Sequence, residues 1–204
     1  MVAARDVTLC EQVAAEIRRT GVRAEAIPTD VAIESDVANL ISETLDRLGR
    51  LDVLVNNAGV GGGGVVVDTT PEEFDRVVAT NLRGTFLCSR EAFRVMMSRG
   101  GGRIINVSSL CGKDAWAGTG PYSASKWGIL GLAKAMAAEG EPYDIKVTTL
   151  CPGAVASALV DDAEALAASE MISPFDVADA AVYAATIGPN VVVHEIVIER
   201  TGAE

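Results

Sequence analysis

The stretch Leu51-Asp52-Val53-Leu54-Val55-Asn56-Asn57-Ala58-Gly59 joins a short apolar run directly to a polar turn. A run rich in Val and Leu, closed by Asn and Gly, is typical of a β-strand that is buried in a sheet and ends abruptly. A helical pattern stands on each side of it, at 35–48 and at 71–97. Because parallel strands need long crossover connections, a strand between two such helices predicts a parallel sheet.

The same alternation extends along all 204 residues of the chain. Apolar residues at helical spacing mark 7–20, 122–139 and a segment after Ser173-Pro174, and short apolar runs predict strands at 23–27, 103–107, 145–150 and 191–198. The strand runs are apolar throughout, as expected where helices cover both faces of a sheet. No repeat or linker is visible, so the sequence predicts one three-layer α/β domain over 1–204.

Charge and composition argue against several classes of protein. The 17 basic and 28 acidic residues give a net charge of −11, which disfavours binding to nucleic acid or to an anionic membrane. No apolar run is long enough to span a bilayer, and no secretory signal is visible. Neither the spacing of the cysteines nor the single histidine favours a metal site: Cys10, Cys88, Cys111, Cys151 and His194. We therefore expect a cytoplasmic protein without a metal ion.

Polar or glycine-rich residues follow four of the predicted strands. They are Asp30-Val31, 56–59, Ser108-Ser109 and Pro152-Gly153. Because ligands of such sheets bind beyond the carboxyl ends of the strands, these groups predict a shared pocket. The alternative is that they are ordinary turns, which also favour Asn, Ser, Pro and Gly.

The segment Gly59-Val60-Gly61-Gly62-Gly63-Gly64 matches the dinucleotide-binding pattern G-x-G-x-x-G. A pyrophosphate-binding turn must lead straight into a helix, whose first N–H groups face the phosphates. Three valines follow here, and the next predicted helix begins only near Pro71. We therefore interpret 61–67 as a rim beside a substrate pocket. Together with 110–119 and 157–171 it would shape that pocket, and Trp116, Leu159 and Met171 suggest that it is apolar.

Tyr122 and Lys126 stand four residues apart at the start of a predicted helix, so they share one face. A phenol ionises near pH 10, and an ammonium group one turn away favours the phenolate. Such a pair can carry a proton to or from a substrate oxygen. On spacing alone, a half-buried tyrosine beside a solvated lysine is the commoner interpretation.

Taken together, the order of these motifs resembles the short-chain dehydrogenase/reductase family of the classical type. The resemblance covers essentially the whole chain and rests on Asn57-Ala58-Gly59, Asn81, Ser109, Tyr122 with Lys126, and Pro152-Gly153-Ala154-Val155. It implies a Rossmann-like, doubly wound sheet with strand order 3-2-1-4-5-6. It also implies an NAD(P)-dependent oxidoreductase that moves a hydride between nicotinamide and a small carbonyl or secondary alcohol substrate, as a homo-oligomer such as a dimer or tetramer.

The resemblance implies roles for single residues. Tyr122 would be the general acid or base, Lys126 would lower its pKa and bind the nicotinamide ribose, and Ser109 would hold the substrate oxygen. Asn81 would support a water that relays protons to Lys126. The remaining cofactor contacts would come from Asp30 and Val31 at the adenine, from Asn57, Ala58 and Gly59 at the adenosine ribose, and from Pro152, Gly153, Val155 and Ser157 at the nicotinamide.

The choice between NADP and NAD depends on Ala4-Arg5-Asp6, which in the family closes the second strand. A guanidinium at Arg5 would pair with a 2′-phosphate, so we expect NADP. If the correspondence shifts by one or two residues, Asp6 would instead accept from the ribose hydroxyls and favour NAD.

One part of the family pattern is missing from this sequence. The family opens with a strand and a glycine-rich turn, and the resemblance therefore predicts an N-terminally truncated sheet without its first, central strand and without the pyrophosphate site. Three explanations remain open. The start of the protein lies upstream, which we favour; or a true variant binds its cofactor poorly; or the chain is a binding or oligomerisation subunit without unaided catalysis.

Overall fold

The computed structural model describes residues 1–157, 159 and 170–202, in which helices and strands alternate as predicted. The strands are β1 Val2–Ala4, β2 Ala26–Pro28, β3 Val53–Asn56, β4 Gly102–Val107, β5 Ile145–Pro152 and β6 Glu195–Ile198. The α-helices are α1 Val7–Arg19, α2 Glu34–Leu48, α3 Pro71–Val78, α4 Gly84–Arg99, α5 Gly120–Gly140 and α6 Pro174–Thr186.

All strand pairs are parallel, but they form two separate sheets. One sheet has the order β3-β4-β5-β6, and the other consists of β1 and β2. The family resemblance places the absent strand between β1 and β3. In the described part of the chain, no ladder joins these two strands. The free edge of β3 leaves Val53 37% and Val55 47% exposed. The expected α/β fold is confirmed, with its sheet divided at this point.

The helices cover both faces of the four-stranded sheet. On one face, Met136 of α5 packs with Ile104 of β4 and Val147 of β5. On the other face, Ala184 of α6 packs with Ile105 and Leu150. Neighbouring residues of a strand point to opposite faces, so Ile104 and Ile105 each serve a different core. Burial of such side chains stabilises the fold by about 1.5–3 kcal/mol each.

The two sheets are connected through their helices. Val37 of α2 packs against Leu87 and Cys88 of α4, and Val31, which follows β2, joins this cluster. The two-stranded sheet is therefore held to the rest of the molecule by apolar packing, without strand pairing in the described residues.

Two predicted helix starts are confirmed by their caps. The Thr70 hydroxyl accepts from the Glu73 N–H at 3.2 Å, and Ser173 caps α6 by accepting from the Phe175 N–H at 3.2 Å. The Glu73 carboxylate pairs with Arg76 at 2.7 Å.

The last strand is shorter than the sequence predicts. It begins at Glu195 rather than at 191, because the ladder between β5 and β6 opens only with the pair Thr149 and Glu195. His194 therefore precedes the strand, although its carbonyl accepts from the Thr149 N–H at 2.9 Å.

Candidate active site

The helix α5 places Tyr122 and Lys126 on one face, as predicted, and buries the lysine. Lys126 is only 4% exposed, and its Nζ donates to the carbonyl oxygen of Val107 at 2.9 Å. The same Nζ lies 5.4 Å from the centroid of the Tyr122 ring. The alternative of a solvated lysine beside a tyrosine is therefore wrong.

The segment that follows β4 is locked onto α5. The Ser108 hydroxyl donates to the Lys126 carbonyl at 3.0 Å. A Cβ atom on Gly112 would stand 2.6 Å from Ser108 Oγ and 2.9 Å from the Lys126 carbonyl oxygen, so only glycine fits this contact. Sequence reasoning missed Gly112, because a lone glycine in a loop gives no sign of what approaches it.

Ser109 lies next to Tyr122 and is nearly buried. Its Oγ accepts from the Cys111 N–H at 3.1 Å, and it also forms a hydrogen bond with the Tyr122 side chain. The structure thus brings Ser109, Tyr122 and Lys126 together.

The direction of the Tyr122 pKa corrects one expectation. Burial raises the pKa of Tyr122 above its usual value, and the hydrogen bond with Ser109 opposes this only in part. Lys126 is not among the causes of this shift, and burial lowers the pKa of Lys126 itself to about 8. Desolvation penalises the charged form of both groups, and it prevails over the mutual effect that the spacing suggested.

Asn81, the fourth predicted residue, lies in a π-helical turn, Ala79–Arg83, which interrupts the helix predicted over 71–97. Its buried side chain accepts from the Val60 N–H at 2.8 Å and donates to the Val60 carbonyl at 3.0 Å and to Ser125 Oγ at 3.1 Å. Such π-turns often occur at functional sites. The Asn81 side chain ties the loop after β3 to α5, and its role toward a water stays a prediction.

The turn Asn57-Ala58-Gly59 reaches the same place. A Cβ atom on Gly59 would lie 3.5 Å from Asn81 Oδ1 and 3.8 Å from Lys126 Nζ. Just before this turn, the Asn56 amide donates to Ser89 Oγ and to Asn106 Oδ1, both at 2.9 Å. These buried contacts fix the end of β3, and their partners, 33 and 50 residues away, could not be found from the sequence.

The glycine-rich loop after β3 leads into no helix. The Gly64 N–H donates to the Gly118 carbonyl at 2.8 Å, which joins this loop to the segment before α5. Val66 and Val67 are 80% and 89% exposed, and Trp116 is 53% exposed. The loop is thus an apolar rim near the start of α5, in agreement with the sequence-based rejection of a phosphate-binding turn.

The predicted nicotinamide contacts follow the end of β5. The Gly153 N–H donates to the Ile198 carbonyl at 2.9 Å, and Val155 forms a parallel bridge with Ile172. Ser157 is exposed and accepts from the Leu159 N–H at 3.4 Å. Of the predicted substrate segment 157–171, residues 158 and 160–169 lie outside the described part of the chain.

Arg5 and the predicted adenine contacts, Asp30 and Val31, follow the strands of the two-stranded sheet. Asp30 Oδ1 accepts from the Ala32 N–H at 2.9 Å, and Val31 packs so closely on Gly84 that a Cβ atom there would lie 2.7 Å away. Arg5 is exposed and forms no ion pair or hydrogen bond among the described residues. No described hydrogen bond or ion pair joins Arg5, Asp30 or Val31 to the catalytic residues.

Asp6, the alternative to Arg5 as the residue that recognises the cofactor, caps the start of α1. Its Oδ1 accepts from the N–H groups of Thr8 at 2.9 Å and Leu9 at 3.0 Å, at the start of α1. An N-cap of this kind stabilises a helix by about 1 kcal/mol, so the carboxylate already has a structural task.

No cluster of three or more His, Cys, Asp or Glu side chains suited to a metal ion occurs among residues 1–157, 159 and 170–202. Over the same residues, no helix has both the length and the apolar character needed to cross a bilayer.

Comparison with known proteins then places the chain among its relatives. Residues 1–167 match the family model described as short chain dehydrogenase. The chain is 31% identical over 194 residues to sepiapterin reductase of Chlorobaculum tepidum, covering 95% of this chain and 80% of that protein. It is 35% identical over 162 residues to a 3-oxoacyl-[acyl-carrier-protein] reductase of Synechocystis, covering 79% and 66% respectively.

The fold comparison agrees with the sequence comparison. A crystal structure of an actinorhodin polyketide ketoreductase variant with NADPH superposes with a TM-score of 0.89 and 30% identity, covering 97% of this chain and 85% of that one. In other relatives the matched part is a smaller share of the protein. An oxidoreductase of Bacillus subtilis is 37% identical over 151 residues, which are 74% of this chain and 59% of that protein. The chain spans 54–59% of the length of three such curated relatives.

Proposed function

Because this chain belongs to the short chain dehydrogenase family, we propose that it is an oxidoreductase that moves a hydride between nicotinamide and a carbonyl or secondary alcohol carbon. The observation that carries the proposal is the contact of Tyr122 with Ser109 above a buried Lys126, beyond the carboxyl ends of β4 and β5. Ligands of doubly wound sheets bind at this edge.

The side chains have complementary tasks in this reaction. The bound nicotinamide supplies or accepts the hydride. The raised pKa of Tyr122 keeps its phenol protonated at neutral pH, so the phenol can give its proton to a substrate oxygen that becomes negatively charged. Ser109 donates a second hydrogen bond to the same oxygen and stabilises the developing charge.

Lys126 returns a proton to the Tyr122 phenolate. A pKa of about 8 lies close to neutral pH, so the ammonium group can pass on a proton and take up another during turnover. A Cβ atom on Gly59 would be in van der Waals contact with Asn81 Oδ1 and Lys126 Nζ, so a ribose that approaches this glycine would find one acceptor and one donor. Asn57, Ala58, Pro152, Gly153, Val155 and Ser157 would complete that binding surface.

We propose NADP as the cofactor in preference to NAD. Arg5 is exposed and unpaired in the described structure, whereas Asp6 holds two N–H groups of α1. A free guanidinium suits a 2′-phosphate, and a carboxylate engaged in a cap is a poorer acceptor for ribose hydroxyls. The ketoreductase with the similar fold carries NADPH. Asp30 and Val31 would border the adenine.

The surroundings of the site suggest the kind of substrate and assembly. The exposed side chains of Val66, Val67 and Trp116 favour a small substrate with an apolar part. Exposed Phe86 on α4 and Trp127 on α5 favour a homo-oligomer, and light scattering that finds only monomers would contradict this. The free cysteines favour a reducing compartment such as the cytoplasm.

The change Tyr122→Phe tests the function directly, because it keeps the ring and removes the proton donor. Loss of a general acid lowers turnover by about 100- to 10 000-fold, while cofactor affinity should stay within about twofold. Reduction of a panel of apolar ketones is followed by the loss of NADPH absorbance, and binding is measured by calorimetry. The control is Tyr143→Phe, at an exposed tyrosine outside the site.

Unchanged turnover in Tyr122→Phe would contradict the proposed role. If the unaltered chain neither binds NADPH nor turns over any substrate, unaided catalysis by this chain is ruled out.

A further inference from the structure

A cavity that Ser109, Tyr122 and Lys126 do not line lies along the second half of α5. It is a cleft of about 590 Å³ between the second half of α5, the beginning of β5 and the segment that leads into β6. Its apolar wall consists of Leu130, Ala133, Ala137, Val147 and Val192. Its lining residues on α5 begin at Leu130, about 12 Å along the helix axis from Tyr122.

Thr149 forms the inner end of this cleft. It is 1% exposed, and its hydroxyl has no hydrogen-bond partner in the described part of the chain. Side chains two residues apart share a face of a strand, so Thr149 points to the α5 side like Val147, which packs against that helix. Buried polar groups without a partner are rare, and each one calls for an explanation such as a bound molecule.

The edge of β5 adds backbone groups to the same place. The Thr149 N–H donates to the His194 carbonyl, and the β5–β6 ladder starts at this residue. The N–H and C=O of Val147 lie two residues earlier and face the same edge, ahead of the point where pairing begins. The inner part of the cleft thus offers one hydroxyl and one peptide group, all uncharged.

The charges of the rim balance one another. Lys146 pairs with Asp144 at 2.5 Å, and Glu195 pairs with Lys113. Lys134 and Glu141 have no such partner among the described residues, and their charges are opposite. A charged ligand would therefore gain little at the rim and would have no counter-ion at the inner end, where an isolated charge is costly.

We propose that this cleft binds a small, mainly apolar molecule with one neutral hydrogen-bonding group, such as a primary amide or an alcohol, seated against Thr149 and Val147. The volume lies within the range of about 300–1000 Å³ that is common for small-molecule sites. Neither the proposed oxidoreductase activity nor the family match assigns a ligand to this place.

The test is an NMR titration of the whole 204-residue chain with octanamide. Saturable shifts of amides that line the cleft are expected, with a dissociation constant on the order of 1 mM for a ligand of this size. Octanoate should bind at least about tenfold more weakly, because its carboxylate would lie beside Thr149 without a counter-ion.

The decisive variant is Thr149→Val, which keeps the shape of the side chain and removes the hydroxyl. It should weaken octanamide binding about tenfold, while the Tm stays the same or rises by up to about 4 °C, because an unsatisfied polar group is lost. Thr148→Val is the matched control: the neighbouring residue is equally buried but points to the opposite face, and binding should not change.

Three results of the titration would overturn the proposal. They are equal affinity in the wild type and in folded Thr149→Val, shifts centred on Tyr122 and Ser109, and no saturable shift up to about 20 mM octanamide. Intermolecular contacts that show the cleft covered by a second copy of the chain would also overturn it, because a small molecule would then have no access.

Discussion

The four-stranded and the two-stranded parts of this molecule fix their polar residues in different ways. In the four-stranded part, Ser108, Asn81 and Lys126 are buried, and each side chain bonds to a residue distant in the sequence. In the two-stranded part, Arg5 is exposed, and Asp30 bonds only within its own turn and to α2. Proton transfer needs reacting atoms held at short, defined distances, whereas a guanidinium can recognise a phosphate from a mobile position.

The difference implies a division of labour. Changes in the four-stranded part should affect turnover and stability together, and changes in the two-stranded part should affect the choice of cofactor alone. Three variants, beside Tyr122→Phe, test this division.

The largest effect is expected for Lys126→Met, which should lower turnover about 1000-fold because the Tyr122 phenolate can no longer regain its proton from Lys126. Stability should move in the opposite direction. Holding the ammonium with a pKa of about 8 rather than 10.5 costs about 3 kcal/mol at pH 7. Loss of the bond to the Val107 carbonyl costs about 1–3 kcal/mol, so the net change is a gain of at most about 2 kcal/mol.

The pH dependence provides the control for that variant. In the wild type, the folded protein releases the Lys126 proton near pH 8, whereas the unfolded chain keeps it up to about pH 10.4. The unfolding free energy should therefore rise between these two values in the wild type and stay flatter in Lys126→Met. Urea titrations at pH 7, 8 and 9.5 measure it, and parallel curves would contradict the burial of a charged Lys126.

A smaller effect is expected for Gly112→Ala. Its Cβ atom would stand 2.6 Å from Ser108 Oγ and 2.9 Å from a backbone oxygen, so the segment must move away from α5, at a cost of about 1–3 kcal/mol. Turnover should fall as well, because Ser109 belongs to the same segment. The control is Gly131→Ala in α5, where nothing lies within 4 Å and alanine should stabilise the helix by about 0.5–1 kcal/mol. Thermal unfolding and ketone reduction measure both; equal behaviour of the two variants would contradict the tight contact.

The smallest effect on the protein is expected for Arg5→Ala. The KM for NADPH should rise about tenfold, from the loss of a charge-assisted hydrogen bond, with no change in kcat, in Tm or in the KM for NADH. Arg19→Ala, at the end of α1, is the control for a general loss of positive charge. A tenfold loss with NADH as well would show that Arg5 supports the fold or the whole dinucleotide and would remove the argument for NADP.

Patterns that are local in the sequence predicted local structure well. The helix starts at Pro71 and Pro174, and the common face of Tyr122 and Lys126, follow from spacings of two to four residues. Such spacings are set by the geometry of one helix and need no knowledge of the rest of the chain.

What could not be predicted depends on distant neighbours. The valines at 191–193 have the residue type of a strand, but they do not pair with β5, whose first four residues have no partner in β6. The downward shift of the Lys126 pKa arises from burial beneath segments far away in the sequence. The pairing of Asn56 with Asn106 and the approach of Gly112 to α5 likewise exist only after the sheet and helix have assembled.

The π-helical turn Ala79–Arg83 makes the length of this helical region as important as its composition. It contains one residue more than an α-helix would use, and removing one residue would give a regular and locally more favourable helix. Such a deletion would rotate α3 relative to α4 by about 100° about the helix axis. Either Val77 of α3 or Leu87 of α4 would then leave the core. Substitutions can therefore accumulate here more easily than insertions or deletions, and related chains should keep a constant residue count between these two core positions even where the residues differ.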